Sequence, residues 1–337
     1  VPNVPEEFAL PTSSPPPDDR SETDGTLVGV GEFGLIARVT RDRVQPAATL
    51  LGPGDDAAVV AAPDGRVVAC TDVLVDGVHF RLDWSTPEQI GRKAAAANLA
   101  DVAAMGAVPT ALLVGLACPG DTPVVTLEAL ADGLWAEAGA AGVGVVGGDV
   151  ASSATLVVSV TALGSLEGRE PVTRGGARPG DVVALAGRLG WAAAGWAVLS
   201  RGFRSPVAVV GAHRVPEPPY AAGPQAARAG ATAMIDVSDG LLADLAHVAR
   251  ASGVTIDVAR PEPPQRLVEV GSALGVDPVH WVLTGGEDHA LVATFPAEVV
   301  LPPGWTPIGT VREGKPEVLV QGRPYRDAPA GWDHFTR

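Results

Sequence analysis

Thr86-Pro87-Glu88-Gln89-Ile90-Gly91-Arg92-Lys93-Ala94-Ala95-Ala96-Ala97-Asn98-Leu99-Ala100-Asp101-Val102-Ala103-Ala104-Met105-Gly106 carries helix punctuation at both ends. Thr86 is suited to cap the first turn, Pro87 sits where a missing amide costs nothing, and Gln89 completes a capping box. Gly106 supplies the stop. The spacing predicts a helix from Pro87 to Met105, with Asn98 and Asp101 on one face because they are three residues apart. On either side, apolar runs alternate with helical patterns. Before it come a helix over Glu32 to Thr40 and strands over Ala57 to Ala61 and Arg66 to Cys70. After it come a strand at Ala111 to Leu116, a helix at Thr126 to Ala141, and strands around Val143 to Val146 and Thr155 to Leu163.

Gly164 to Asp181, with Arg169, Arg174 and Arg178 among glycines and prolines, reads as a junction. The second half repeats the style of the first. Strands are expected at Val182 to Ala186, Ala231 to Ile235, Val254 to Val258 and His289 to Phe295, with helices from Trp191 and over Asp239 to Ser252. The pattern is that of an α/β (α+β) chain in two domains, residues 25–164 and 165–337, behind a tail at 1–24. Pro15-Pro16-Pro17-Asp18-Asp19 marks that tail as too polar and proline-rich to order itself.

At 337 residues and 46% hydrophobic, the chain is long enough for two cores. The formal net charge of -15 argues against nucleic acid or an anionic membrane surface as a partner, since both would repel it. Cys70 and Cys118 are the only cysteines, which fits a reducing, cytoplasmic setting and offers no zinc or disulfide framework. No signal-peptide pattern is read, and Val182 to Leu199 is interrupted by Arg188 and Gly190, so a core segment is expected there.

Chemistry is suggested by aspartates in short glycine-bearing or polar segments. They are Gly54-Asp55-Asp56, Thr71-Asp72, Asn98-Leu99-Ala100-Asp101, Gly147-Gly148-Asp149 and Asp236-Val237-Ser238-Asp239-Gly240. Carboxylates bind hard cations such as Mg²⁺ and glycines let backbone approach an oxyanion, so the set points to phosphate chemistry carried through metal ions. Taken singly, each is more often an ordinary turn or helix cap. Gly29-Val30-Gly31-Glu32-Phe33-Gly34 is literally G-x-G-x-x-G, but no buried strand precedes it, and a dinucleotide site is rejected. No P-loop pattern is present. His79, His247, His289 and His334 form no metal-ligand spacing, and His247 reads as structural. Ser238 and Asp239 open a helix, where an N-cap and a phosphate site share one geometry.

Read together, these segments resemble the thiamine-monophosphate kinase family of the aminoimidazole-ribotide-synthetase-like superfamily. The resemblance is carried by Gly31-Glu32-Phe33-Gly34-Leu35-Ile36, Gly54-Asp55-Asp56-Ala57, Thr71-Asp72 through Val78-His79-Phe80, and Asn98 to Ala107. Gly147-Gly148-Asp149, Thr173-Arg174-Gly175-Gly176-Ala177, Ile235 to Leu241, Gly285-Gly286-Glu287-Asp288 and Gly331-Trp332-Asp333-His334-Phe335 continue it in the family's order. It implies mixed sheets flanked by helices in two domains, N-terminal halves paired in a homodimer, and ATP held with several Mg²⁺ ions. By resemblance, Asp55, Thr71, Asp72, Asp101, Asp149, Asp236 and Asp239 match metal ligands. Gly148, Asp149, Arg174 and Ser238 match nucleotide contacts, and His79, Glu287 and Trp332 match positions that hold thiamine monophosphate. Val150 and His289-Ala290 depart from the family's frequent residues.

The implied reaction is Mg²⁺-dependent transfer of the ATP γ-phosphate to thiamine monophosphate, giving thiamine diphosphate and ADP. An acceptor phosphate is already largely ionised at neutral pH, so no general base is required. Charge neutralisation and in-line positioning are required instead, and aspartates, metal and an arginine suit that task. A cationic thiazolium would be favoured by the Trp332 face or the Glu287 carboxylate. The alternatives are another ATP-dependent synthetase of the superfamily, resembling aminoimidazole ribotide synthetase, or a nucleotide-binding regulator without turnover.

Overall fold

The computed structural model describes residues 25–53, 57–327 and 331. The expected tail at 1–24, Asp55 and Trp332 lie outside the described residues. Twelve strands and nine helices among the described residues run in the order α1 (Leu27–Thr40), β1 (Thr49–Leu51), β2 (Val59–Val60), β3 (Val68–Val75), α2 (Pro87–Ala104), β4 (Val108–Cys118), α3 (Val124–Ala140), β5 (Gly144–Ser152), β6 (Val157–Ser165), β7 (Val182–Ala186), α4 (Trp191–Ser200), α5 (Val207–Arg214), α6 (Ala222–Arg228), β8 (Ala233–Val237), α7 (Leu241–Ser252), β9 (Thr255–Val258), α8 (Gln265–Leu274), α9 (Pro278–Thr284), β10 (Ala290–Phe295), β11 (Trp305–Arg312) and β12 (Glu317–Val320).

The first half is a four-stranded mixed sheet, β3-β6-β4-β5, with α2 and α3 on one face. The capping box forms as the sequence dictates: Gln89 N donates to Thr86 Oγ1 at 3.3 Å and Thr86 N donates to Gln89 Oε1 at 3.0 Å. The two helices cross where both carry glycine. A Cβ on Gly91 would lie 2.0 Å from the Leu130 carbonyl oxygen, and one on Gly133 would lie 1.9 Å from that of Glu88. Only glycine permits that approach.

The second half is a six-stranded sheet, β12-β9-β11-β7-β10-β8, antiparallel except for the parallel pair β12 and β9. Helices α4, α5, α7, α8 and α9 share a core with one face, built on Val183, Ile235, Val237 and Val292. The other face, with Ala184, Met234, Leu291, Ala293 and Phe295, packs on α6 and on Ala103 and Ala104 of α2. Helix α2 is therefore enclosed: Ile90, Ala94 to Ala97, Leu99, Ala100 and Val102 to Ala104 are all buried.

Strand pleating decides which acids meet. Along β3, Cys70, Asp72 and Leu74 share the face toward α2, while Thr71 and Val73 share the opposite, exposed face. Along β8, Asp236 falls in step with Met234 and so faces the α2 side.

The structure departs from the sequence reading at several elements. Helix α1 begins at Leu27 and breaks at Gly31 (φ 70°, ψ 172°), so the expected start at Glu32 is its second segment. Strands β3, β4 and β5 run longer than the spans expected for them, while β6, at Val157–Ser165, is shifted by two residues. Helices α5, α6, α8 and α9 were not anticipated. Helix α7 begins at Leu241 with Gly240 as its N-cap, not at Ser238 or Asp239.

Candidate active site

Asp72, Asp101 and Asp236 come together where α2 passes between the two sheets. Asn98 fixes this meeting point. Its amide nitrogen donates to the Ala94 carbonyl at 3.0 Å, and its Oδ1 accepts the Asp72 backbone N–H at 3.0 Å, tying β3 to α2. Burial, reinforced by Asp236 and Asp72, pushes the Asp101 carboxyl up to about 7. Asp72 is also raised, first by burial, with His289 opposing. Burial and the charges of Asp101 and Asp72 push the Cys70 thiol up, so it remains protonated, with its Sγ 3.3 Å from the Asn98 carbonyl.

The cation inside this cluster is His289. It is 6% exposed, adopts φ 51°, and its Nδ1 lies 3.2 Å from Asp236 Oδ2. Burial works against its charge, but the hydrogen bond to Asp236 and the negative charges of Asp236, Glu287 and Asp101 raise it to about 9. Glu287, two residues earlier, also has positive φ, 69°. Two non-glycine residues in the left-handed region mark a segment held by its surroundings. Glu287 N donates to the Ser238 carbonyl at 2.8 Å and His289 N to that of Val237 at 3.0 Å. Gly286 allows this strap, since a Cβ there would lie 2.1 Å from the Ser238 carbonyl oxygen.

Lys93 joins this loop to the first sheet's helix. Its Nζ lies 2.5 Å from Glu287 Oε2 and donates to the His79 carbonyl at 3.0 Å, while His79 Nδ1 accepts the Val75 N–H at 3.1 Å. Burial would raise Glu287, but Lys93 and then His289 hold its carboxyl down at about 2. Its charge is already matched. The thiazolium contact expected of Glu287 would therefore be made by a carboxylate that also holds Lys93.

Asp288 and Asp244 have structural attachments. Asp288 Oδ1 accepts the Ala192 N–H of α4 at 2.9 Å, and burial pushes its carboxyl up to about 7. Asp244 Oδ2 accepts the amides of Asp239 at 3.1 Å and Gly240 at 3.0 Å. These two amides just before α7 are therefore taken by a carboxylate of their own helix. His247 is also not a core residue: it is exposed, with Nδ1 3.2 Å from Arg250 Nη2.

Two cavities flank the cluster. One, of about 540 Å³, has Asp72, His79, Lys93, Trp196, Ser238 and Glu287 in its wall, with Asp239 and His289. The other, of about 940 Å³, lies between α1 and the first sheet and includes Gly148, Asp149 and Thr161. Pro53 and Ala57, on either side of the segment containing Asp55, also border it. Thr71 belongs to this exposed sheet face: its Oγ1 donates to the Val160 carbonyl and accepts from Thr161 Oγ1, each at 3.0 Å. Asp149 is exposed on β5 opposite Gly115 of β4. The aspartates thus divide, with Asp72, Asp101, Asp236 and Asp239 on one side and Asp149 on the other. Arg174 lies on an exposed loop whose carbonyl accepts the Ser252 hydroxyl at 2.9 Å, outside both cavity walls.

Among the described residues, no three His, Cys, Asp or Glu side chains form a ready-made metal cage. The donor chemistry nevertheless fits a hard divalent cation. Mg²⁺ is commonly held by one or two carboxylates plus substrate phosphates, and the raised Asp72 and Asp101 are oxygen donors whose charge a cation would relieve. Lys93 and His289 had not been singled out as site residues. Lys93 carried a signal, being a lysine within an alanine-rich helix; His289 stood out only as a departure from a family pattern.

Comparison with known proteins adds independent observations. Residues 54–166 match the family model described as AIR synthase related protein, N-terminal domain, and residues 178–299 match the C-terminal domain of the same description. A thiamine-monophosphate kinase of Mycobacterium tuberculosis is 54% identical over 313 residues, covering 92% of this chain and 93% of that protein. One from Corynebacterium glutamicum is 44% identical, covering 88% and 91%. A solved structure described as AaThiL complexed with AMPPCP and TMP is similar with a TM-score of 0.75 and 33% identity, covering 91% of this chain and 97% of that one.

Proposed function

This chain belongs to the AIR synthase related family, in its two-domain thiamine-monophosphate kinase branch, and we propose that it catalyses the reaction of that branch. It transfers the γ-phosphate of ATP to thiamine monophosphate, giving thiamine diphosphate and ADP. The observation that carries this reading is 54% identity across more than nine-tenths of both chains. A coupled assay for ADP release, with and without thiamine monophosphate, tests it. Release independent of thiamine monophosphate would favour another activity of the superfamily, and no release at all would favour a non-catalytic nucleotide binder.

The mechanism follows from charge. The acceptor phosphate is a nucleophile without deprotonation, since its second pKa is about 6. Two anionic reactants must be brought together, which is where the enzyme must act. Mg²⁺ ions, when bound, neutralise the phosphate oxygens. We assign Asp72, Asp101, Asp236 and Asp239 to hold them on one side of the site, with Asp55, Thr71 and Asp149 on the other. Gly148, Asp149, Arg174 and Ser238 take the nucleotide in this reading. His79, Glu287 and Trp332 serve the thiamine monophosphate, with Glu287 acting as the Lys93-paired floor of its cavity. His289 balances carboxylate charge and orients Asp236, supported by their 3.2 Å contact.

Of the remaining proposals, the assembly rests on the resemblance, and the domain boundary and compartment rest on the sequence. The domain boundary falls at 164/165, the N-terminal halves pair as a homodimer, and the enzyme works in the cytoplasm. No helix among the described residues is long and apolar enough to cross a membrane. Light scattering tests the assembly: a dimer near twice 34.1 kDa is expected, and a fully active monomer would overturn it.

A further inference from the structure

Helix α4 presents Ala192, Ala193 and Trp196 to the 540 Å³ cavity, while Ala194, Ala197 and Val198 of the same helix enter the core. The spacing is that of one helical face. Trp196 is 51% exposed. A large indole in a cavity wall with half its surface open is placed to offer a π face to a ligand. Its position relative to the loop is fixed, because Asp288, next to Glu287, accepts the Ala192 amide at the start of α4 at 2.9 Å.

The cavity must recognise a flat cation if the kinase reading holds. Thiamine has a positively charged thiazolium and a neutral aminopyrimidine, both planar. A buried cation is stabilised by an unpaired carboxylate or by an aromatic face. The Glu287 carboxylate is not unpaired, since Lys93 Nζ lies 2.5 Å from it. The wall's other carboxylates, Asp72 and Asp239, are the ones assigned above to metal, so the indole is the contact left to the ring, and tryptophan is the best of the aromatic side chains for it. A cavity of about 540 Å³ is also of the size that encloses a small organic ligand.

We infer that Trp196 is the aromatic platform on which a ring of thiamine monophosphate lies, and so a determinant of acceptor specificity. The inference rests on the kinase reading. Stacking is expected from the resemblance at Trp332, which lies outside the described residues; its neighbour Gly331 borders the same cavity. Trp196 is a second aromatic residue whose contribution can be measured separately.

The test uses the full chain with Trp196→Ala, Trp196→Leu and Trp196→Phe. Steady-state kinetics at saturating ATP and Mg²⁺ should show KM for thiamine monophosphate raised about tenfold in the Ala and Leu variants and less in the Phe variant, with KM for ATP unchanged. Leucine restores apolar bulk without a π face, so it separates stacking from simple packing. Calorimetric titration of thiamine monophosphate into wild type and Trp196→Ala reads the same contact without turnover, and thermal melting checks the fold. Unchanged KM and affinity in both variants, beside a wild type that phosphorylates thiamine monophosphate, would overturn the platform and leave the kinase reading standing. A wild type that neither binds nor phosphorylates it would overturn both.

Discussion

Lys93 of α2 and Glu287 of the loop before β10 are joined at 2.5 Å, and the pair is asymmetric: the lysine side chain is 4% exposed and the glutamate 40%. One partner can turn to solvent when the other is removed; the other cannot.

Glu287→Ala should therefore destabilise the protein more than Lys93→Met. Stranding a buried charge costs about 3 kcal/mol at the low end for broken buried pairs, and the half-open Glu287 left by Lys93→Met should cost well below that. Chemical denaturation of both variants checks the order. Equal losses, or a larger loss for Lys93→Met, would contradict the asymmetry.

Asp101→Asn should separate stability from activity. The Asp101 carboxyl is pushed up to about 7 by burial and by Asp236 and Asp72, so its charge is a local cost to the ligand-free fold. The amide should melt at an equal or higher temperature at pH 8, while kcat falls by about 10² to 10³, the scale of one lost electrostatic contact to a transition state. Near-normal kcat at saturating Mg²⁺ would remove Asp101 from the site.

Asp149 is exposed on the far sheet face, so its loss should not disturb packing. Asp149→Ala should retain the wild-type melting temperature without ligand and lose the stabilisation that Mg²⁺ with a nonhydrolysable ATP analogue confers on wild type. Full retention of that ligand-induced shift would move nucleotide binding away from β5.

Stability of the ligand-free protein should fall as pH rises from 6 to 9. His289 is raised to about 9 against about 6.5 when unfolded, so its contribution is complete below about 6.5 and is lost as pH rises through 9. Asp101, raised to about 7, makes the folded chain bind its proton more tightly, so stability also declines as pH climbs through 7. The slopes agree in sign. His289→Asn should flatten the upper part of the curve, and a wild-type melting temperature that holds or rises toward pH 9 would contradict the assignment.

The sequence exposed what is local. The Thr86-Pro87-Glu88-Gln89 cap announces α2 because all its parts lie within one turn. Strand β7 was read at Val182–Ala186 because a buried strand is a short apolar run. Helix α5, Val207–Arg214, escaped because its valines carry β propensity that packing on α4 overrides. Helices α6 and α9 are seven residues each, too short for a periodic signal. At the site, aspartates beside glycines were visible as motifs. Lys93 and His289 were not, because each takes its meaning from an acid distant in sequence, Glu287 and Asp236.

Helix α2 touches both sheets through alanine methyls, and those methyls act as a spacer. Asp72 arrives from one sheet and Asp236 from the other, so the gap that any bound ion must bridge is set by the thickness of the wall between them. Enlarging Ala95, packed in the first sheet's core, or Ala103, packed against the second sheet, would crowd a fully buried contact and shift the sheets without altering a single ligand. In this chain the least reactive side chains set the spacing of the carboxylates, and variation at those alanines changes that spacing while leaving every acid in place.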